Sequence, residues 1–278
     1  MEMELEYCGV SEYAGSGGAD GDRCLGGRWD HLGFADGITV PGIDMIHYHG
    51  TPITPKSVIQ TLAGKHFLIP FARPENLEWC LENGQSNVGD NSAFTLRRLN
   101  PGAFTYVWDA YYQWVRPILS YPQNWVIIPD VIGGTEAAND ELVYSRWKKE
   151  MGSFRQAAPV WHIHESFDRL ERLVQSFERV CFGSSGEYWQ IGSDKWNHRI
   201  DDTFNFLCKG SGSPQCWIHM LRGMALAGSA YPFASADSTD VARNHNRPQN
   251  TAAEMAARWD AKQCPSWWIE RPVESRLS

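Results

Sequence analysis

Three aspartates sit at the ends of short apolar runs. Asp90 lies in Val88-Gly89-Asp90-Asn91-Ser92-Ala93-Phe94, Asp130 closes Val126-Ile127-Ile128-Pro129-Asp130, and Asp237 closes Tyr231-Pro232-Phe233-Ala234-Ser235-Ala236-Asp237. β-Branched and aromatic residues suit a covered, pleated surface, so each run reads as a buried strand. A carboxylate is costly to remove from water, so acids placed there imply strand ends that converge on an opening. Two carboxylates at one mouth can divide labour when their surroundings separate their protonation: one stays an ionised nucleophile while the other moves protons. Glycosidic chemistry uses that division, because an anion can trap an oxocarbenium-like carbon as a covalent ester. Asp90 and Asp237 are the candidates for this pair. The competing reading makes them turn-capping acids.

Positioning such a pair requires a sheet whose strand ends share one face. From Met45 onward strand-like runs alternate with helical spacing. The runs are Ile46–His49, Phe67–Phe71, Val88–Phe94, Trp125–Val131, Pro159–His164, Val180–Gly183, Trp217–Leu221 and Tyr231–Ala236. Apolar residues three and four apart predict helices over Pro74–Glu82, Phe104–Ile118, Glu136–Met151, Ser166–Phe177 and Lys195–Leu207. Eight strand-then-helix units favour an α/β fold, a single (β/α)8 TIM-type barrel over residues 45–278. Thr251–Lys262 and Trp267-Trp268 would supply a C-terminal helical cover.

Residues 1–44 read differently. They hold nine acids and two arginines of a chain whose formal charge is -8, leaving 24 acids and 23 bases for the rest. Their Gly-rich acidic stretch reads as a flexible leader or appendage. The nearly neutral body leaves room for a local basic rim that binds nucleic acid. No apolar run approaches the roughly 20 residues that span a bilayer, and the acidic N-terminus lacks the marks of a secretory signal. Seven scattered cysteines without a Cys-x-x-Cys imply reduced thiols and a cytoplasmic protein.

Gly89-Asp90-Asn91-Ser92-Ala93-Phe94 resembles the Asp-Ser-Gly-Gly-Phe type segment of the tRNA-guanine transglycosylase superfamily. Cys181-Phe182-Gly183-Ser184-Ser185-Gly186-Glu187 is similar to its Gly-rich base-cradling loop, and Asp237-Ser238-Thr239 with Ala242-Arg243-Asn244 to its nucleophile segment. The similarity covers roughly residues 45–247 and is nearest to the phage and bacterial branch that modifies DNA, the DpdA-type 7-deazaguanine transglycosylases. It implies exchange of guanine in DNA, or less readily tRNA, for a free 7-deazaguanine. Asp237 would attack the sugar and Asp90 would carry protons. Asp130 would accept from the guanine N–H edge, Gly183 and Ser184 would approach the base, and Phe94 or Phe71 would stack on it. His49 and His219 would contact substrate. A duplex would need its target nucleotide flipped out, with a DNA-opening partner protein as an expected helper. The resemblance places the protein in a bacterial or phage-infected host cytoplasm. The family's Cys-x-Cys-x-x-Cys plus His zinc motif is missing, so no cofactor is expected. Asp240, three residues beyond Asp237, is the alternative nucleophile.

His47-x-His49 and His162-x-His164 would each share a strand face. The first pair, with Asp237, also resembles the metal site of amidohydrolase-type barrels, which keeps a metal-dependent hydrolase using His47, His49, His162 or His164 and Asp237 as the second reading, although the ligand set is incomplete. Arg97 follows Asp90, while Arg243 and Arg247 follow Asp237, a placement suited to phosphates. A solvated charged face explains them equally well. A non-catalytic nucleic-acid-binding barrel is the third reading.

Overall fold

The computed structural model describes residues 44–99 and 104–272. Of the acidic leader expected at 1–44, only Asp44 falls inside that range. The strands are β1 (Ile46–Gly50), β2 (His66–Pro70), β3 (Ser86–Asp90), β4 (Trp125–Ile127), β5 (Ala157–Ala158), β6 (Val160–His162), β7 (Arg179–Gly183), β8 (Trp217–Met220) and β9 (Ser235–Ser238). Every pairing is parallel, in the order β5-β4-β3-β2-β1-β9-β8-β7-β6. β5 and β6 flank Pro159, which has no N–H to give a ladder. β5 pairs with β4 and β6 with β7, so one short run touches both ends of the sheet. The result is a nearly closed, barrel-like parallel sheet. All eight predicted runs meet strands.

The helices are α1 (Lys56–Ile59), α2 (Leu77–Asn83), α3 (Ala93–Leu99), α4 (Phe104–Leu119), α5 (Glu136–Asp140), α6 (Lys148–Met151), α7 (Phe167–Ser176), α8 (Asp194–Leu207), α9 (Asp240–Asn244) and α10 (Ala252–Asp260). A wider π turn over Glu141–Trp147 joins α5 to α6. Thr135, Ser166, Ser193 and Thr251 cap α5, α7, α8 and α10 by accepting the backbone N–H three residues on, which satisfies donors a helix start leaves open. Among the described residues, no helix is long and apolar enough to cross a membrane.

Alternation along the strands makes two faces. Tyr48, Leu68, Val88, Trp125, Ile127, Ala158, Val160 and Cys181 fill the inside. Phe67 and Ile69 pack outward with residues of α9 and α10, and Trp161, Phe182 and Met220 with those of α7 and α8. A side chain's parity therefore decides whether it can reach the opening.

Two expected strands are displaced. Val88–Phe94 stops at Asp90, because Asn91 Oδ1 accepts the Ala93 N–H at 2.8 Å and turns the chain into α3. The last strand is Ser235–Ser238 and not Tyr231–Ala236. Tyr231 and Phe233 instead pack 5.9 and 5.2 Å from the Phe204 ring in the outer core. Asp237 thus lies within a strand. Trp268 stacks on Tyr231 at 5.8 Å, so part of the expected C-terminal cover forms there, while Trp267 is exposed.

Candidate active site

The C-terminal ends of β3, β6, β7 and β9 open on a pocket of about 640 Å³. Asp90, Asp130, Asp237, Gly183, Ser184 and Phe94, all expected from sequence, line it together. Acids that terminate or nearly terminate apolar strands have met at one mouth.

Asp90 shares the inward parity of Ser86 and Val88 and is the last residue of β3. Its neighbour Ser92 has φ 58°, a left-handed conformation that costs a residue with a Cβ of order 1–3 kcal/mol. That bend brings Ser92 Oγ to 3.4 Å from Asp90 Oδ2, while the same hydroxyl accepts the Ala72 N–H at 3.1 Å. Burial, and then the charge of Asp237, push the Asp90 carboxyl up to about 7, against the Ser92 N–H. Near neutral pH this acid holds its proton about half the time.

Asp237 has a closer donor. Oδ1 accepts the Arg222 backbone N–H at 2.7 Å, and Arg222 has φ 57°. His219 Nε2 lies 3.3 Å from the same oxygen. Ser235 Oγ accepts from Trp217 Nε1 and lies 2.8 Å from His219 Nδ1.

Asp130 is held from both sides. Asn91 Nδ2 donates to Oδ1 at 2.8 Å and His162 Nε2 to Oδ2 at 3.0 Å. Burial disfavours a charged imidazole, but hydrogen bonds to Asp130 and Glu165 outweigh it and push His162 up to about 9. The buried wall therefore carries a cation.

The rim is aromatic and basic. Phe94 and Trp189 line the mouth with 56% and 69% of their surface exposed. The Arg222 guanidinium sits 5.1 Å from the Phe94 ring centroid and donates to the Ser184 carbonyl at 3.3 Å. Ser184 Oγ accepts from Trp196 Nε1, so that hydroxyl is anchored in the wall. At Gly183 a Cβ would stand 3.1 Å from Val160 Cγ1 and 3.4 Å from His162, which keeps the backbone bare there. Arg97 is exposed and bonds the Ile132 carbonyl. Arg243 and Arg247 are exposed on and just after α9, and neither makes an ion pair among the described residues.

Other expectations change. His49 does not face the pocket: Tyr48 takes the inward position of β1, so His47 and His49 point outward, 3.9 and 3.4 Å from Asp260 of α10. They cannot converge with Asp237, which removes the β1 pair from the ligands of the hydrolase reading; His162 lines the pocket but is bonded to Asp130. His219 points inward but lies wholly buried, one layer below the mouth, where it contacts Asp237 in place of a ligand. His164 is exposed and bonds Ser185 Oγ at 2.8 Å. Phe71 packs against Tyr111 and Trp114, both at 5.4 Å, in the core. Asp240 is taken up by Asn244 at 2.6 Å and Trp259 at 2.9 Å, which leaves Asp237 as the acid of its segment in the pocket. Among the described residues, no three His, Cys, Asp or Glu side chains are grouped to hold a metal ion.

Sequence reasoning missed Asn91, Arg222, Trp189 and Glu165. Glu165 follows an apolar run as Asp130 does, so the same rule would have found it. Asn91 and Trp189 stood inside or beside motifs already singled out. Arg222 stood in the His219–Gly223 segment, which resembles a pocket-lining segment of the same superfamily, but its part at Asp237 is played by a backbone N–H that the side chain does not announce. Comparison with protein-family models, curated proteins and solved structures finds no match.

Proposed function

We propose that this chain is a (β/α)8 TIM-type transglycosylase that exchanges guanine in DNA for a free 7-deazaguanine. The observation that carries the reading is one pocket onto which two carboxyls open in unlike surroundings, Asp90 pushed up to about 7 and Asp237 bonded to the Arg222 N–H. In the first half-reaction Asp237 attacks the sugar C1′ and protonated Asp90 gives its proton to the departing guanine. The C1′–N bond breaks as the C1′–O ester forms. In the second, Asp90 removes the N–H proton of the incoming base, which attacks C1′ and restores the Asp237 carboxylate. A volume of about 640 Å³ lies within the range for nucleoside-sized ligands. Phe94 and Trp189 offer π faces to a base, and Arg97, Arg243 and Arg247 offer charge to phosphates. The outward turn of His47 and His49 and the engagement of His162 with Asp130 and Glu165 weigh against the hydrolase alternative.

The test incubates the protein with DNA or tRNA carrying labelled guanine, plus a 7-deazaguanine, and follows label release and covalent adduct. Release from DNA is expected, with an adduct lost in Asp237→Asn. Release from tRNA alone would move the substrate to RNA. Folded protein that releases label from neither ends the proposal, and oligonucleotide binding without any adduct would favour a non-catalytic barrel.

A further inference from the structure

Behind the pocket runs a line of buried charge for which the exchange chemistry has no direct use. Glu165 and Arg169 are 3% and 0% exposed. Glu165 Oε2 accepts from Arg169 Nη1 at 2.5 Å and from the His162 backbone N–H at 2.8 Å. Its Oε1 accepts from Asn139 Nδ2 at 3.1 Å and faces His162 Nδ1 at 3.3 Å. Arg169 is itself held by the Val160 carbonyl at 2.9 Å and by Asp140 at 2.8 Å. With Nδ1 occupied, the ring turns Nε2 onto Asp130.

An apolar wall would often be as stable as enclosed ions, so their presence at this place calls for a role. A carboxylate offers about four acceptor positions. Asn91 and His162 take one on each oxygen of Asp130, and the carboxylate lines the cavity. Its free lone pairs are thereby aimed rather than left to rotate.

We infer that Glu165, His162 and Arg169 are positioning residues that fix Asp130 as the reader of a planar edge bearing two N–H donors on adjacent groups. Guanine and 7-deazaguanine carry that edge, and hypoxanthine lacks its amino half. The choice of purines rests on the exchange reading; the aiming of Asp130 does not. A wandering carboxylate would still bind one donor but would lose its discrimination between one and two. Glu165→Gln keeps the shape of the wall and removes the charge that orients His162. Arg169→Lys keeps the charge but not the forked contact.

Calorimetric titration of the full chain with guanine and hypoxanthine, alongside thermal unfolding, tests this without turnover. The wild type should prefer guanine by at least about tenfold, since a site built for an N–H rejects the analogue lacking it. Glu165→Gln should lose most of that preference and Arg169→Lys part of it. A general loosening would instead weaken both bases alike. Should Glu165→Gln fail to fold, Arg169→Lys carries the test. Folded variants with undiminished preference overturn the inference and leave base exchange standing. A wild type that binds neither base and forms no adduct removes both.

Discussion

Asp90 and Asp237 line one pocket, yet the corners that hold them are built on different parts of the chain. Each has a neighbour forced into the left-handed region, Ser92 for Asp90 and Arg222 for Asp237. At Asp237 the forced bend delivers a backbone N–H at 2.7 Å, with His219 behind it. At Asp90 the nearest side-chain donor is Ser92 Oγ at 3.4 Å, and burial dominates. Identical carboxyls are thus set apart in their surroundings by the donors that strained turns bring. Such separation is what two-acid catalysis needs.

The largest break in that comparison is to remove each acid in turn. Asp237→Asn should abolish adduct and guanine release altogether. Asp90→Asn, which keeps the shape and loses the transferable proton, should slow release by about 10²–10⁴-fold, the usual worth of a general acid. Quenched time courses on a labelled oligonucleotide separate the two. Equal rates for both variants would mean that the corners do not divide the labour.

Next in size is the rim. Trp189→Ala and Phe94→Ala should each weaken oligonucleotide binding by about 1–3 kcal/mol, the worth of one base stacked on an aromatic face. Fluorescence anisotropy reads this, and Trp189→Phe should restore most of the loss. Tight binding by both alanine variants would confine recognition to the carboxylates below.

How far the site was legible follows from the same distinction. Strand parity and terminal acids are local properties, so Asp90, Asp130 and Asp237 could be found from apolar runs. Their pooling at one mouth needed only parallel topology. His49 was misplaced because a pair of histidines two apart does not reveal which face of β1 they share; the inward slot went to Tyr48, which Ser86 and Trp125 engage. His219 had the right parity but the wrong depth. Arg222 acts through main chain, and a φ of 57° has no signature in an arginine codon. Phe94 reached the mouth by a helix that the apolar run had concealed.

Proton affinity gives a smaller effect, visible in stability. A carboxyl whose pKa folding raises binds its proton more tightly in the native chain. Wild-type Asp90 is therefore stabilising below the ordinary carboxylate range, and that contribution is lost as pH rises through about 7. Asn carries no such dependence. The Tm of Asp90→Asn relative to wild type should climb between pH 4 and pH 8, on the order of a few degrees for a chain of this size. A flat difference across that range would show that Asp90 is not withheld from ionising.

The finest distinction lies between the two strained residues themselves. Glycine accepts the left-handed region freely, at an entropic cost of about 0.5–1 kcal/mol that offsets much of the strain it relieves, so neither Ser92→Gly nor Arg222→Gly should move stability by more than about 1 kcal/mol. In Arg222→Gly the N–H that holds Asp237 remains, so adduct formation should keep its pH profile. In Ser92→Gly the hydroxyl that favours ionised Asp90 is gone. If guanine leaves by taking the Asp90 proton, release falls as pH rises through about 7, and Ser92→Gly should shift that fall to higher pH. Rate profiles of both variants on one oligonucleotide decide the matter. A shift in Arg222→Gly, or none in Ser92→Gly, would mean that main chain and side chain do not divide the two corners in this way.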